Sequence, residues 1–162
     1  MLIGILLGLG FLILASFAAG GLLGAPWVPT FTNDVEAILD DARLKKNELF
    51  IELGCGDGRM LTAAAKRSAQ VVGYELNPVL YLIARWHTRR YKNARVRLGN
   101  FWRQDLSSAD VVITFLVPRS MARLEAKTTK ELKPGARLVS YVFLLPKKKP
   151  TLKHRHWYVY DF

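Results

Sequence analysis

At 162 residues and a net charge of +11, with every Lys and Arg beyond residue 42, the chain has room for one compact domain and no second one. Its single cysteine, Cys55, excludes an internal disulfide, and His87, His154 and His156 give no metal-ligand set, so no metal is expected. A basic balance suits nucleic acid, anionic lipid or acidic protein; we read it here as a lipid-facing or solvated surface, with no nucleic acid expected.

Residues 1–25 contain Leu, Ile, Phe, Ala and Gly, with Ser16 as the only polar side chain. About 20 apolar residues cross a hydrocarbon core of roughly 30 Å, so this run is expected to be a single transmembrane helix that satisfies its own backbone. No basic residue precedes it, and Arg43, Lys45 and Lys46 follow, which places the body on the cytoplasmic side. A cleaved signal peptide is the rival, because Ser16-Phe17-Ala18 has a small-x-small pattern. Against it stand the missing basic n-region and the apolar run through Leu22 and Leu23. Gly4-x-x-x-Gly8 and Gly20-x-x-x-Gly24 would let two such helices approach as a homodimer, or reflect chance spacing in a glycine-rich run.

Residues 26–47 read as a strap and a helix. Pro26 and Pro29 hold Pro26-Trp27-Val28-Pro29-Thr30 extended, and Trp27 suits a membrane interface or a cover over a pocket. Thr32 or Asn33 can cap a helix with Val35, Ile38, Leu39 and Ala42 on one face. Asp34 and Glu36 suit the positive end of its dipole, and Lys45 and Lys46 the negative end.

Residues 48–162 alternate strands with helices. Leu49–Leu53 is an apolar run ending in glycines, Arg59–Arg67 is helical, and Val71–Tyr74 is a second strand. Pro78 fits a helix N1 position, with Leu80, Ile83, Ala84 and His87 in register toward Tyr91. Arg95–Leu98 has the polar alternation of an edge strand. Val111–Leu116 is a β-branched fourth strand, and Met121, Leu124, Thr128 and Leu132 mark a helix. Lys133-Pro134-Gly135 turns into strand five, Leu138–Leu144, and Trp157–Phe162 is the candidate for a last strand. The pattern predicts an α/β fold with a parallel sheet covered on both faces.

The chemistry concentrates after the first strand. Gly54, Gly56 and Gly58 recur at every second position, where a dinucleotide site would have Gly-x-Gly-x-x-Gly aimed at a pyrophosphate. The third glycine comes one residue early, and the acidic Glu52 precedes the turn. S-adenosylmethionine carries no phosphate but has an ammonium group, which Glu52 would favour. Glu75 follows by about 20 residues, where a carboxylate accepts ribose hydroxyls. Asn100 after the third strand is placed for an adenine edge, with Leu76 or Phe101 against its face. Cys55 and Asp57 complete the cofactor loop.

On these residues the chain resembles one family of seven-β-strand methyltransferases. The discriminating parts are Pro26-Trp27-Val28-Pro29-Thr30 after an apolar segment and Val111-Val-Ile-Thr-Phe-Leu-Val-Pro118, beside Glu52–Arg59, Gly73–Pro78 and Asn100-Phe-Trp102. That family includes the lysine methyltransferases of the mitochondrial ATP-synthase c-subunit and adenine nucleotide translocase, of which this chain looks like a prokaryotic member. The resemblance implies a Rossmann-like methyltransferase sheet with a minimal C-terminal part and S-adenosylmethionine as cofactor. It puts Glu52, Gly54, Gly56 and Gly58 at the methionine end, Glu75 at the ribose and Asn100 at the adenine. Asn100 stands where many such enzymes have Asp. Phe115 to Pro118 would form the acceptor mouth. Trp27, Phe115, Val117, Pro118 and Tyr141 are then the candidates for a desolvated channel that disfavours an ammonium. The expected activity is methylation of protein lysines, a membrane protein being the favoured substrate. A lipid headgroup or membrane-dissolved small molecule is the alternative acceptor, and a non-catalytic membrane-anchored binding module the second alternative.

Overall fold

The computed structural model describes residues 32–162, together with Met1 and Gly8. The anticipated transmembrane anchor, the strap and Trp27 lie outside the described residues. Among those described, no helix is long and apolar enough to cross a membrane.

Helix α1, Thr32–Asp41, precedes strand β1, Leu49–Leu53. Then follow α2 (Arg59–Lys66), β2 (Gln70–Glu75), α3 (Pro78–Thr88), β3 (Ala94–Leu98), β4 (Val111–Thr114), α4 (Met121–Glu131), β5 (Arg137–Tyr141), β6 (Leu152–Lys153) and β7 (Trp157–Asp161). Single 3₁₀ turns at Phe101–Arg103 and Pro118–Ser120 lead into β4 and α4 respectively. The helices form where the apolar spacing placed them: Val35, Ile38 and Leu39 of the first and Ala42 just past it are all buried, as are Met121, Leu124 and Thr128 of the last and Leu132 just past it. Asn77 starts α3 with its Oδ1 accepting from the Val79 and Leu80 N–H groups, and Pro78 occupies the first turn. In α3 the inward stripe is Leu80, Ala84 and Thr88; Ile83 and His87, expected in register, face solvent.

Among the described residues, seven strands form one sheet in the order β3-β2-β1-β4-β5-β7-β6. The first five are mutually parallel, with β1 pairing β2 and β4 on either side. The sheet is not wholly parallel, however: β7 runs antiparallel to β5, and the unforeseen two-residue β6 pairs antiparallel with it. Alternation along β1 divides the core. Phe50 faces a cluster with Val35, Ile38, Leu61, Ala84, Val139 and Trp157, under the first three helices. Ile51 and Leu53 face Leu106, Val112, Met121, Leu124, Leu138 and Tyr160, under α4.

Several boundaries differ from the sequence reading, the α3 helix ending at Thr88 rather than Tyr91 among them. Strand β4 stops at Thr114, because Phe115 leaves the ladder. Strand β5 stops at Tyr141, because Val142 adopts φ 71, a left-handed conformation that ends a strand. Helix α1 ends at Asp41, so Lys45 and Lys46 lie past its last turn rather than on it.

Candidate active site

The strand order reverses between β1 and β4, and in such sheets the ligand crevice opens at the carboxyl ends of the strands there. The loop after β1 and the tip of β2 meet at this end. Gly54 and Cys55 both donate their N–H to the Tyr74 carbonyl, at 2.9 and 3.0 Å, which folds the loop over β2. Gly56 donates to Glu75 Oε2 at 2.8 Å, while Glu75 Oε1 accepts from Leu76 and Asn77 N–H groups at 2.9 and 2.8 Å. The buried Glu75 carboxylate is therefore oriented by three backbone donors. A carboxylate offers about four lone-pair positions, so there remains room for about one hydroxyl, rather than an equal grip on two.

The glycines divide by role. Gly54 has φ 81, and a β-carbon there would meet nothing within 4 Å: this glycine borders open space. Gly58, also at positive φ, starts α2, and a β-carbon there would lie 3.0 Å from the Ala84 Cα. Gly58 thus brings α2 against α3. Cys55 is likewise a packing residue. Its sulfur sits 2.8 Å from where a Gly73 β-carbon would be, inside the core, and burial pushes its thiol well above the usual range. Asp57 turns away to Arg59, whose guanidinium approaches to 2.6 Å, and the Asp57 carbonyl is 2.8 Å from His87 Nδ1.

At this end of the sheet, Glu52 carries a buried oxygen that the described residues leave unanswered. It is 8% exposed, and its Oε2 is buried without a hydrogen-bond partner. Burial first, then the neighbouring Asp57 and Glu75 charges, push its carboxyl well above 4.5 against the opposing pull of Arg59. A buried acceptor at the strand end before an open glycine calls for a cationic or donating ligand. The donor set thus fits S-adenosylmethionine: a carboxylate for its ammonium, an open glycine for close approach, and a fixed carboxylate for a sugar hydroxyl.

Farther along the edge, Asn100 Oδ1 caps the 3₁₀ turn by accepting from the Trp102 N–H at 2.9 Å, leaving its amide NH₂ as the end to offer a base. Leu76 is exposed beside Glu75, while Phe101 is half-buried and packs on Trp102 with centroids 4.7 Å apart. On the β4–β5 side, Phe115 meets Tyr141 edge to face at 4.9 Å, Val117 is half-buried and Pro118 exposed. Sequence reasoning missed what holds Tyr141. Its hydroxyl donates to Asp34 Oδ2 at 2.5 Å, and His156 Nδ1 lies 3.2 Å from the same oxygen. The Tyr141 bond first, then His156, hold the Asp34 carboxyl below its ordinary value despite some burial. Its place in the first turn of α1 marks Asp34 only as a helix-dipole residue, and no local signal points to this second role.

This sheet order, with a glycine loop after β1 and a carboxylate at the tip of β2, defines the Rossmann-like fold of S-adenosylmethionine-dependent methyltransferases. The solved structure of an RNA methyltransferase from Salinibacter ruber, in complex with S-adenosyl-L-homocysteine, superposes with a TM-score of 0.76. It is 29% identical, over 82% of this chain and 91% of that one. The ANTKMT methyltransferase domain matches residues 52–152, and the chain belongs to that family. It is 34% identical over 128 residues to the ATP synthase c-subunit lysine N-methyltransferase of Homo sapiens, covering 77% of this chain and 54% of that protein. A protein-lysine N-methyltransferase of Saccharolobus islandicus is 37% identical over 123 residues, covering 73% and 76%. The chain therefore spans about half the length of the vertebrate relatives it matches.

Proposed function

We propose that this chain is a protein-lysine N-methyltransferase that uses S-adenosylmethionine and works at a membrane on a membrane protein. The observation that carries the methyl-donor half is the orphaned Glu52 beside the open Gly54, with Glu75 oriented by the Gly56 N–H. The lysine half rests on the lysine methyltransferases among the relatives. Support for the membrane comes from the uncharged run over residues 1–25 and the basic residues after it, which favour a cytoplasmic body.

In this reading the bound cofactor supplies an activated methyl group on a sulfonium, and the protein aligns the acceptor with it. Glu52 holds the ammonium of the methionine end and Glu75 a ribose hydroxyl, which fixes the donor along β1 and β2. Asn100 presents its NH₂ to the adenine, and Leu76 lies against the ring. Phe115, Val117 and Tyr141 form an apolar wall on the β4–β5 side, where an ammonium is disfavoured, so a lysine entering there gives up its proton more readily. In-line transfer needs no acid–base pair beyond this.

The test is to incubate the full chain with membranes from its own source and a methyl-labelled donor. Label in protein, recovered as methyl-lysine after hydrolysis, is the expected result. Label extracted with lipid would overturn the lysine reading, and no label bound or transferred would overturn the methyltransferase itself.

A further inference from the structure

Helix α3 carries two opposite stripes. Leu80, Ala84 and Thr88 are buried, while Leu82, Arg85, Trp86 and Arg89 recur outward at i, i+3, i+4 and i+7. Leu82 is 62% and Trp86 63% exposed, more than any other large apolar side chain described except Met1. The Arg89 guanidinium sits 3.5 Å from the centre of the Trp86 ring. Alongside runs edge strand β3, whose exposed Arg95 and Arg97 line one groove with Arg85 and Arg89. From Leu76 to Gln104 the chain has seven of its 24 Lys and Arg residues and none of its 13 Asp and Glu. None of these arginines is needed by the cofactor site described above.

We propose that the outer stripe of α3, with the arginines of β3, is a docking surface for an anionic lipid bilayer. A phospholipid interface satisfies both halves of this pattern. Guanidinium groups meet phosphates, Leu82 enters the acyl boundary, and Trp86 lies at headgroup level. Each basic residue near an anionic surface contributes attraction, and no carboxylate in this stretch opposes it. Nucleic acid fits less well. A base needs a bare aromatic face, Arg89 already covers one face of Trp86, and phosphates give no reason to expose Leu82. A second copy of the same face would be repelled by its own charge. This surface would meet the bilayer whichever acceptor is methylated.

The test uses the full chain with vesicles of phosphatidylcholine alone and of phosphatidylcholine mixed with phosphatidylglycerol. Because an apolar segment inserts into both, the gain in binding on adding the anionic lipid reports this face. Replacing both Arg85→Gln and Arg89→Gln is expected to reduce that gain roughly 30-fold, at about 1 kcal/mol per basic residue. Brominated acyl chains are expected to quench tryptophan fluorescence, with a share of the quenching lost in Trp86→Phe. Binding of S-adenosylhomocysteine, followed by calorimetry, shows that the variants remain folded. An unchanged gain in the double variant, or quenching unaffected by Trp86→Phe, would overturn the proposal. So would loss of single-stranded RNA binding in the double variant with its lipid gain intact.

Discussion

Replacing Glu52 by Gln tests the cofactor site at its most exposed physical assumption. The carboxyl is buried and one oxygen has no partner among the described residues, and burial raises its pKa well above 4.5. A carboxyl raised in this way binds more protons folded than unfolded. Its contribution to stability is complete below the ordinary value and is lost as pH climbs through the raised one. An ammonium brought against it reverses the shift, so binding S-adenosylmethionine or S-adenosylhomocysteine releases up to one proton. Affinity then rises with pH by at most tenfold per unit until the raised pKa is passed. Calorimetry at a pH between the ordinary and the raised value, in two buffers of different ionisation heat, should show a buffer-dependent binding enthalpy. Glu52→Gln keeps the shape, removes that dependence, and weakens binding roughly 10- to 100-fold, from about 1.5–3 kcal/mol for a hydrogen bond to a charged group. Equal heats in both buffers, together with affinity for Glu52→Gln within about twofold of the parent, would refute the assignment of Glu52 to the ammonium.

Glu75→Gln should lower cofactor affinity tenfold or more, about 1.4 kcal/mol, and also loosen the loop, because one oxygen that accepts a backbone N–H becomes a donor. Equilibrium dialysis with labelled ligand measures the first effect, and hydrogen exchange at Gly56 the second. Gly58→Ala is expected to destabilise the domain by about 1–3 kcal/mol in urea melts, since the new methyl must occupy positive φ and press on the α3 backbone. Tyr141→Phe removes the main hydrogen bond holding the Asp34 carboxyl down. Asp34 has a lowered folded pKa, so its contribution is present above 3.8 and disappears as pH falls through the lower folded value. The stability difference between Tyr141→Phe and the parent, about 1 kcal/mol at neutral pH, should shrink in acid, as pH-dependent denaturant melts would show. Val142→Gly should leave stability level or raise it by up to about 1 kcal/mol, because relief of a left-handed valine offsets the extra freedom of glycine.

Local features were the readable ones. Four of the five parallel strands announced themselves as short apolar runs and β3 by polar alternation, and Glu52, Gly54 and Glu75 stood at spacings that a turn between two strands explains. Direction was harder to foresee. Gly58 and Cys55 share the loop with Gly54, yet they face α3 and Gly73, contacts fixed only when the helices pack. Phe115 and Tyr141 do meet, but what anchors Tyr141 was not legible. Asp34 reaches Tyr141 and His156 across separations of 107 and 122 residues, which no local pattern encodes. The antiparallel turn-back of β7 has the same cause, because alternation identifies a strand without naming its neighbour or its sense.

Helix α1 is clasped by the last strand. Asp41 accepts from the Trp157 indole at 2.8 Å, Arg43 just after the helix pairs with Asp161, and Asp34 meets His156. Helix α1 also packs on α2, where Arg67 pairs with Glu36 and Asp40, so its near contacts are local, while those to His156 and Trp157 wait for residues more than a hundred positions later. The glycine loop and Glu75 are thus joined by near contacts, whereas the cluster of Asp34, Tyr141 and His156 ties the two ends of the described chain together.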